Sequence, residues 1–369
     1  MSALRVLHVD GERGFGGGQR QLRLLGRELA GLGVEQSLAT RPGSAMAVTG
    51  AGMLLPLFAL EQRSDADIAS AWRLVRLCRR LRPDIVHTHS SRSLGMAALA
   101  RLFFGLGKPP ALIHTRRVSF PIKGLLGGVK IRRGADRHIA ISRSAAAGLL
   151  RAGIPESRLT VIPSGIELPV PADRAAARAA VLKLTGFSPG DVIVGACGNL
   201  LPNKRFDRLV RAVAALRPTT PVRLVIWGDG PERGALEALC RDLGAESSIV
   251  LAGHVEAPER YFPGVDVAAL ASEAEGLGSV LLDAMARGVP LLGAAVPGIV
   301  DVIDEGVNGL LFDAGNPAAL PDTLRRLALD PGLRQRLGAG GPGTAAERYD
   351  IRVVARRTLA LYREVAPGP

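Results

Sequence analysis

Apolar and polar residues follow two periods along this chain, and the two alternate. Runs such as LRVLHVD (4–10), RPDIVHTHS (82–90), PALIHTRR (110–117), DRHIAIS (136–142) and DVIVGACG (191–198) are rich in Val, Ile and Leu, as strands buried on both faces are. Between them AWRLVRLCRRL (71–81), SLGMAALARLFFG (93–105), SAAAGLLRAG (144–153) and the segment from about Phe206 place apolar residues three and four apart, the stripe of an amphipathic helix. Strand, turn and helix repeat in this order, which predicts parallel sheets flanked by helices. One series closes with RLTVIPSGIEL (158–168), PVPADRAAARAAVLKLTGFSPG (169–190) reads as linker and entry helix, and a second series opens at Asp191. In the second series Ser279–Arg287 predicts a helix stopped by Gly288, Val289–Leu292 a buried strand, and residues 297–302 a small helix. Pro317–Leu329 and Arg352–Glu364 are two further amphipathic helices.

Composition narrows the class. A length of 369 residues with 47% apolar content predicts two globular domains, each with its own core. The longest uncharged run, Pro42–Leu60, is broken by Gly43, Gly50, Gly52 and Pro56, so it reads as loop and strand and not as a membrane span. Cys78, Cys197 and Cys240 lie far apart with no metal or disulfide spacing, and MSALRVLHVD enters a strand without a signal-peptide pattern. A reducing cytoplasm is the expectation. Charge is uneven: residues 1–170 hold 25 Lys and Arg against 11 Asp and Glu, while the rest of the chain sums to −1. The N-terminal half therefore faces whatever anion the protein meets: membrane, phosphorylated glycolipid or nucleic acid. From Arg116 to Arg143 basic residues alternate with Phe120, Ile122, Leu125, Leu126, Val129 and Ile131, which reads as a surface for anionic lipid or a phosphorylated acceptor. A solvated basic helix face is the alternative. Few aromatics interleave with the charges, which argues against stacking on nucleic acid.

The densest chemistry lies in Ser272–Phe312, SEAEGLGSVLLDAMARGVPLLGAAVPGIVDVIDEGVNGLLF. An acidic loop runs through Gly276 and Gly278 into a helix, whose N-terminal N–H groups form an anion site. Glu275 and Asp283 flank that turn, eight positions and roughly 10–12 Å apart along a helix. That exceeds the spacing of paired glycosidase carboxyls and suits a ligand with hydroxyls at both ends and a diphosphate between. Helix capping by Glu275 and a solvated Asp283 are the plainer reading. GFGGGQ (14–19) adds a glycine-rich strand-to-helix turn, either a phosphate cradle or merely a tight turn. His87, His89, His114 and Arg116 fall at the carboxyl ends of strands, where parallel sheets gather ligands. His87-x-His89 alone is too few ligands for a metal.

These motifs, in this order, resemble the retaining glycosyltransferases of the large family 4, whose signature is E-x7-E followed by an A-M-A-x-G-x-P run; here it stands as E-x7-D. The resemblance spans nearly the whole chain and implies the GT-B fold, two Rossmann-like doubly wound α/β domains facing across a cleft. It divides the chain at 1–168 (acceptor side) and 169–349 (nucleotide-sugar side), with a last helix, about 350–369, packing back on the first domain. It implies His114 and Glu275 as catalytic, with Glu275 gripping the donor sugar. Donor contacts come from Gly16, Gly17 and Gln19, from Asn199, Lys204 and Arg205, from His254 and Val255 at the base, and from Gly278, Ser279, Val280 and Asp283. Asn199 stands where the family usually has Arg, and Arg205 is the candidate to supply that charge. His87, His89, Arg116 and Arg117 fall on the acceptor side. The implied reaction moves a sugar from a nucleotide-sugar donor, UDP-sugar by family frequency, to a glycan or glycolipid acceptor such as a lipopolysaccharide core. It uses no metal and no other cofactor, and the basic N-terminal domain rests on an anionic membrane. A sugar-nucleotide epimerase or hydrolase of the same fold, and a non-catalytic anion- or membrane-binding protein, are the alternatives.

Overall fold

The computed structural model describes residues 3–49, 55–64, 66–105, 108–119, 122, 125–170 and 173–366, in two compact units: Met1–Glu167 with Tyr349–Pro369, and Leu168–Arg348. The first unit runs β1 (Arg5–Asp10), α1 (Gly17–Gly31), β2 (Glu35–Thr40), α2 (Ala45–Thr49), β3 (Leu57–Ala59), α3 (Ile68–Leu81), β4 (Ile85–Thr88), α4 (Ser91–Arg101), β5 (Ala111–Arg116), α5 (Leu125–Gly134), β6 (Arg137–Ala140), α6 (Arg143–Arg151) and β7 (Leu159–Val161). The second runs α7 (Arg174–Thr185), β8 (Val192–Cys197), α8 (Phe206–Leu216), β9 (Val222–Trp227), α9 (Arg233–Asp242), β10 (Ile249–Gly253), β11 (Val267–Leu270), α10 (Ser279–Met285), β12 (Leu291–Ala294), β13 (Gly309–Phe312), α11 (Ala319–Leu329) and α12 (Pro331–Tyr349). The last helix, α13 (Ile351–Val365), belongs to the first unit.

In the first unit seven parallel strands lie in the order β3-β2-β1-β4-β5-β6-β7. Because side chains alternate along a strand, Leu7, Val9, Val86, Leu112 and Ala140 face the core beneath α3, α4, α5 and α6. Val6, Ile85, Ile113 and Ile139 face α1 and α13 on the other side, where Tyr362 is fully buried. Asp67, Ser90 and Ser142 cap α3, α4 and α6 through their side-chain oxygens, satisfying amides that a helix start leaves open. The second unit is a six-stranded parallel sheet, β10-β9-β8-β11-β12-β13.

Four sequence expectations change here. Residues 297–302 form successive turns and no helix, since Ile299, Val302 and Ile303 are buried against the sheet and fix the chain locally. The strand expected at Val289–Leu292 runs from Leu291 to Ala294, and the helix after Gly278 ends at Met285. In the basic stretch Arg116–Arg143, Ile131 is buried in the core and Ile122 packs against it. Ile122 and Ile131 thus serve the fold, while Val129 is 39% exposed. Phe120 and Lys123 of that stretch, the side chains of Leu125 and Leu126, and residues 171–172 of the expected linker lie outside the described residues.

Candidate functional site

An open parallel sheet collects ligands where its strand order reverses, at the carboxyl ends of the two central strands. In the second unit that point lies between β8 and β11. The segment after β8 forms a short turn, Pro202–Lys204, and the Asn203 carbonyl accepts from the Glu273 N–H at 2.9 Å. This stitch brings Lys204 against the acidic loop after β11. Lys204 Nζ lies 2.6 Å from Glu275 Oε1, which also accepts from Ser272 Oγ at 2.6 Å. Both charges are largely screened from water, with 22% and 13% of their side chains exposed.

Glycine makes the loop possible at two places. Gly298, at φ +85, packs so closely on Glu275 that an added Cβ would stand 2.2 Å from the Glu275 carbonyl oxygen. Gly278 heads α10 at φ +58, a left-handed conformation that side chains resist. Ser279 and Val280 follow it, half-buried, in the first turn. Asp283 sits one turn deeper, 4% exposed, with Arg287 3.8 Å away. His254 and Val255 follow β10 at the same end of the sheet, His254 exposed and Val255 half-buried.

Asn199 is exposed after β8, and Arg205, the candidate to supply the charge that Asn199 lacks, is ion-paired. Its guanidinium is held by Asp207 at 2.9 Å and Glu273 at 2.8 Å, and these carboxylates raise its pKa further. Ser272 and Asp207 were not anticipated, whereas Glu273 belongs to the acidic loop that the sequence marks. The acidic pair around Glu275 was the only signal in the sequence that pointed to them.

In the first unit the strand order reverses between β1 and β4. His8 pairs in register with His87 there, and the period of two sorts the expected residues onto opposite faces. His87 and Thr115 share the α1 and α13 side with His8, while Thr88, His114 and Arg116 turn to the other. His87 Nδ1 lies 2.6 Å from the Tyr362 hydroxyl and its Nε2 2.6 Å from Thr115 Oγ1. Gln36 Nε2 donates to the Gly26 carbonyl at 2.9 Å, so Gln36 Oε1 receives His8 Nε2–H at 3.1 Å. His8 Nδ1 then accepts from His89 Nε2–H at 3.0 Å, and His89 Nδ1 from Arg117 Nη2 at 3.2 Å. One directed chain of donors therefore runs from Arg117 to the Gly26 backbone, with every tautomer fixed by its neighbour. On the far face His114 Nδ1 meets Thr88 Oγ1 at 3.0 Å, and its ring stands edge-on to His138 at 5.9 Å.

Burial keeps all of these rings neutral. It lowers His8 to about 4 and holds His87, His89 and His114 well below the usual histidine range, because a charge is costly away from water. His87, His89 and His114 are thus buried at the strand ends, His87 against a small cavity that Thr115 and Arg117 also line. Among the described residues His8, His87 and His89 are a trio with metal-ligand geometry, their ligand atoms within 4.8 Å of one another. An ion there would have to displace the His8–His89 proton, so ion and hydrogen-bonded set are alternatives. Arg117 lies along Gly18, and burial lowers its pKa to about 10. Gln19 is turned inward: its Oε1 accepts from Gly16 N–H at 3.1 Å and its Nε2 faces both Asp10 oxygens at 3.3 Å. That amide fixes the glycine turn, leaving Gly16 and Gly17 exposed at the head of α1.

Comparison with known proteins converges on these segments. The model of the Glycosyl transferases group 1 family matches residues 182–343, and that of Glycosyltransferase Family 4 matches residues 15–169. A D-inositol 3-phosphate glycosyltransferase of Xylanimonas cellulosilytica is 30% identical over 309 residues, covering 76% of this chain and 72% of the relative. A protein of the same name from Frankia alni is 30% identical, covering 92% of each. Among solved structures, Anabaena HepE in complex with UDP-glucose superposes with a TM-score of 0.84 at 17% identity, over 98% of this chain and 100% of that one.

Proposed function

The chain belongs to the Glycosyl transferases group 1 family and is a glycosyltransferase of the GT-B fold that uses a nucleotide-sugar donor, and on that premise we propose retaining transfer from a UDP-sugar to a hydroxyl of a phosphorylated acceptor. The observation that carries the reading is the Lys204–Glu275 pair at the switch point of the second sheet. Each partner neutralises the other while the site is free. A donor separates them: its diphosphate takes Lys204, and its sugar hydroxyls donate to Glu275. The amides of Gly278, Ser279 and Val280 stand beside that phosphate, Asp283 meets the ribose, and His254 and Val255 bracket the base. Lysine and amides supply the charge that the leaving diphosphate needs, so the transfer runs without a metal. His114, expected beside the transferring sugar, is buried at the end of β5 and bonded to Thr88, where its ring also supports the Thr115–Arg117 segment.

The acceptor's phosphate is inferred from two sources: the relatives are named for D-inositol 3-phosphate, and the first unit carries the whole positive excess of the chain. Arg116 and Arg117, at the end of β5, are the candidates to receive it. A second reading, a phosphorylated glycolipid of a cell-surface glycan met at an anionic membrane, is favoured by an exposed tryptophan and arginine face on α3. Among the described residues no helix is long and apolar enough to cross a membrane.

The test is turnover with UDP-sugars against inositol phosphate, plain inositol and no acceptor, with the product's anomeric configuration read by NMR. Retention and a strong preference for the phosphorylated acceptor are expected, and Glu275→Ala should lower kcat by about 10²–10³-fold. Wild-type turnover by Glu275→Ala, or rapid donor conversion without acceptor, would overturn the assignment.

A further inference from the structure

The outer face of α3 holds none of the candidate donor residues. Helical spacing puts Ile68, Trp72, Arg76 and Arg79 on one stripe, and Leu74, Val75 and Cys78 anchor the opposite stripe in the core. Ile68 is 59% exposed and Trp72 44%; Leu102, at the end of α4, is 77% exposed. The Trp72 indole stacks on Phe103 with ring centres 6.2 Å apart, so the two helices present one apolar ridge. Beside it Arg73, Arg76 and Arg80 rim a groove of about 290 Å³ with Phe58, Leu60 and Leu77 along its walls. Arg80 lies 4.9 Å over the Phe58 ring.

The charge on this face is uncompensated. Residues 68–81 hold four arginines and no acid, and among the described residues none of Arg73, Arg76 and Arg79 has an acidic partner. The nearest described carboxylates in sequence are engaged elsewhere: Asp67 caps α3 through Ser70, and Asp84 accepts from the Arg5 amide. Exposed aliphatic and indole groups beside bare arginines suit one partner above others, an interface with apolar depth and diffuse negative charge. A nucleic acid would want open aromatic faces, and Trp72 already gives one of its faces to Phe103.

We propose that α3, with the Leu102–Phe103 end of α4, is the surface by which this protein docks on an anionic lipid bilayer, Ile68, Trp72 and Leu102 entering the headgroup layer and Arg73, Arg76 and Arg79 meeting lipid phosphates. The inference rests only on the membrane part of the second reading above, and it is tested without donor or acceptor. Trp227 is fully buried, so Trp72 is the one tryptophan that lipid can reach.

The experiment adds the full chain to vesicles of phosphatidylcholine alone and of phosphatidylcholine with one third phosphatidylglycerol. Binding is read by co-sedimentation, and indole contact by quenching with brominated lipid. Salt-sensitive binding to the anionic vesicles only, with Trp72 quenched, is expected. Arg73→Gln/Arg76→Gln/Arg79→Gln should weaken it by roughly 100-fold, and Trp72→Phe should abolish the quenching. Thermal melting and transfer to a soluble acceptor, unchanged in both variants, exclude misfolding and separate this surface from the transferase site. Absence of binding, binding that the arginine changes leave intact, or capture by heparin or an acidic polypeptide but not by vesicles, would overturn the proposal.

Discussion

Mild acid should unfold the first unit long before the second. Five histidines, His8, His87, His89, His114 and His138, are buried in the first unit, and the second has only the exposed His254. A histidine whose folded pKa is depressed gives stability that is present above the unfolded value of 6.5 and lost as pH falls toward the folded value. His8 and His138 both lie at about 4, chiefly because burial disfavours the charged ring. Between pH 7 and pH 5 each therefore removes about 2 kcal/mol. His87, His89 and His114 are lowered in the same direction and add to that loss. One group opposes: burial raises Asp10 to about 6, so its protonation on the way to pH 5 returns about 1 kcal/mol. The net loss is at least about 3 kcal/mol, a large part of the roughly 5–15 kcal/mol that holds a domain folded. Ordinary carboxylates titrate lower, near 4, so they do not blur this window. Hydrogen exchange at pH 7 and pH 5, followed on peptides from each unit, is the assay. Peptides from β1, β4 and β5 should lose protection at pH 5 while those from β8, β9 and β11 keep it. Equal loss in both units, or none in the first, would refute the argument.

Other outcomes follow from single contacts. Gly298→Ala places a Cβ against the Glu275 carbonyl at a positive φ; it should cost about 1–3 kcal/mol and weaken UDP binding, read by thermal melting and calorimetry. Tyr362→Phe leaves His87 Nδ1 buried without its 2.6 Å partner, and a urea midpoint should record a loss of about 1–3 kcal/mol. Lys204→Met frees Glu275 from its ion pair. It should raise the KM for donor far more than Arg205→Met does, because Arg205 is already bound by Asp207 and Glu273.

The fold was legible because both its signals are local. Apolar runs ending at turns mark β1, β4, β8 and β9, and three-four spacing marks α3 and α8. The candidate donor turn stood out for the same reason: Glu275, Gly278 and Asp283 sit within one turn and its helix. Pairings that depend on the order of strands in a sheet were not. No sequence pattern sets His8 beside His89, and nothing in GFGGGQ told that Gln19 turns inward to Asp10. His87 and His114 looked equivalent as strand-end histidines, yet residue parity sends them to opposite faces. Arg205 looked like a spare charge because Glu273 lies 68 positions away. The small helix expected at 297–302 fails because burial of Ile299 and Ile303 dictates the path of that segment more than helix propensity does.

The placement of α13 also fixes an order of assembly. Ile351, Val354, Leu359 and Tyr362 complete the apolar layer that Val6, Ile85, Ile113 and Ile139 begin, and some 180 residues of another unit are translated between them. A ribosome making this chain has released all of the second unit before the half that starts the message can close. The opening segment must wait with one side of its sheet uncovered, so a nascent chain stalled before residue 351 is the form most exposed to chaperones, proteases and aggregation.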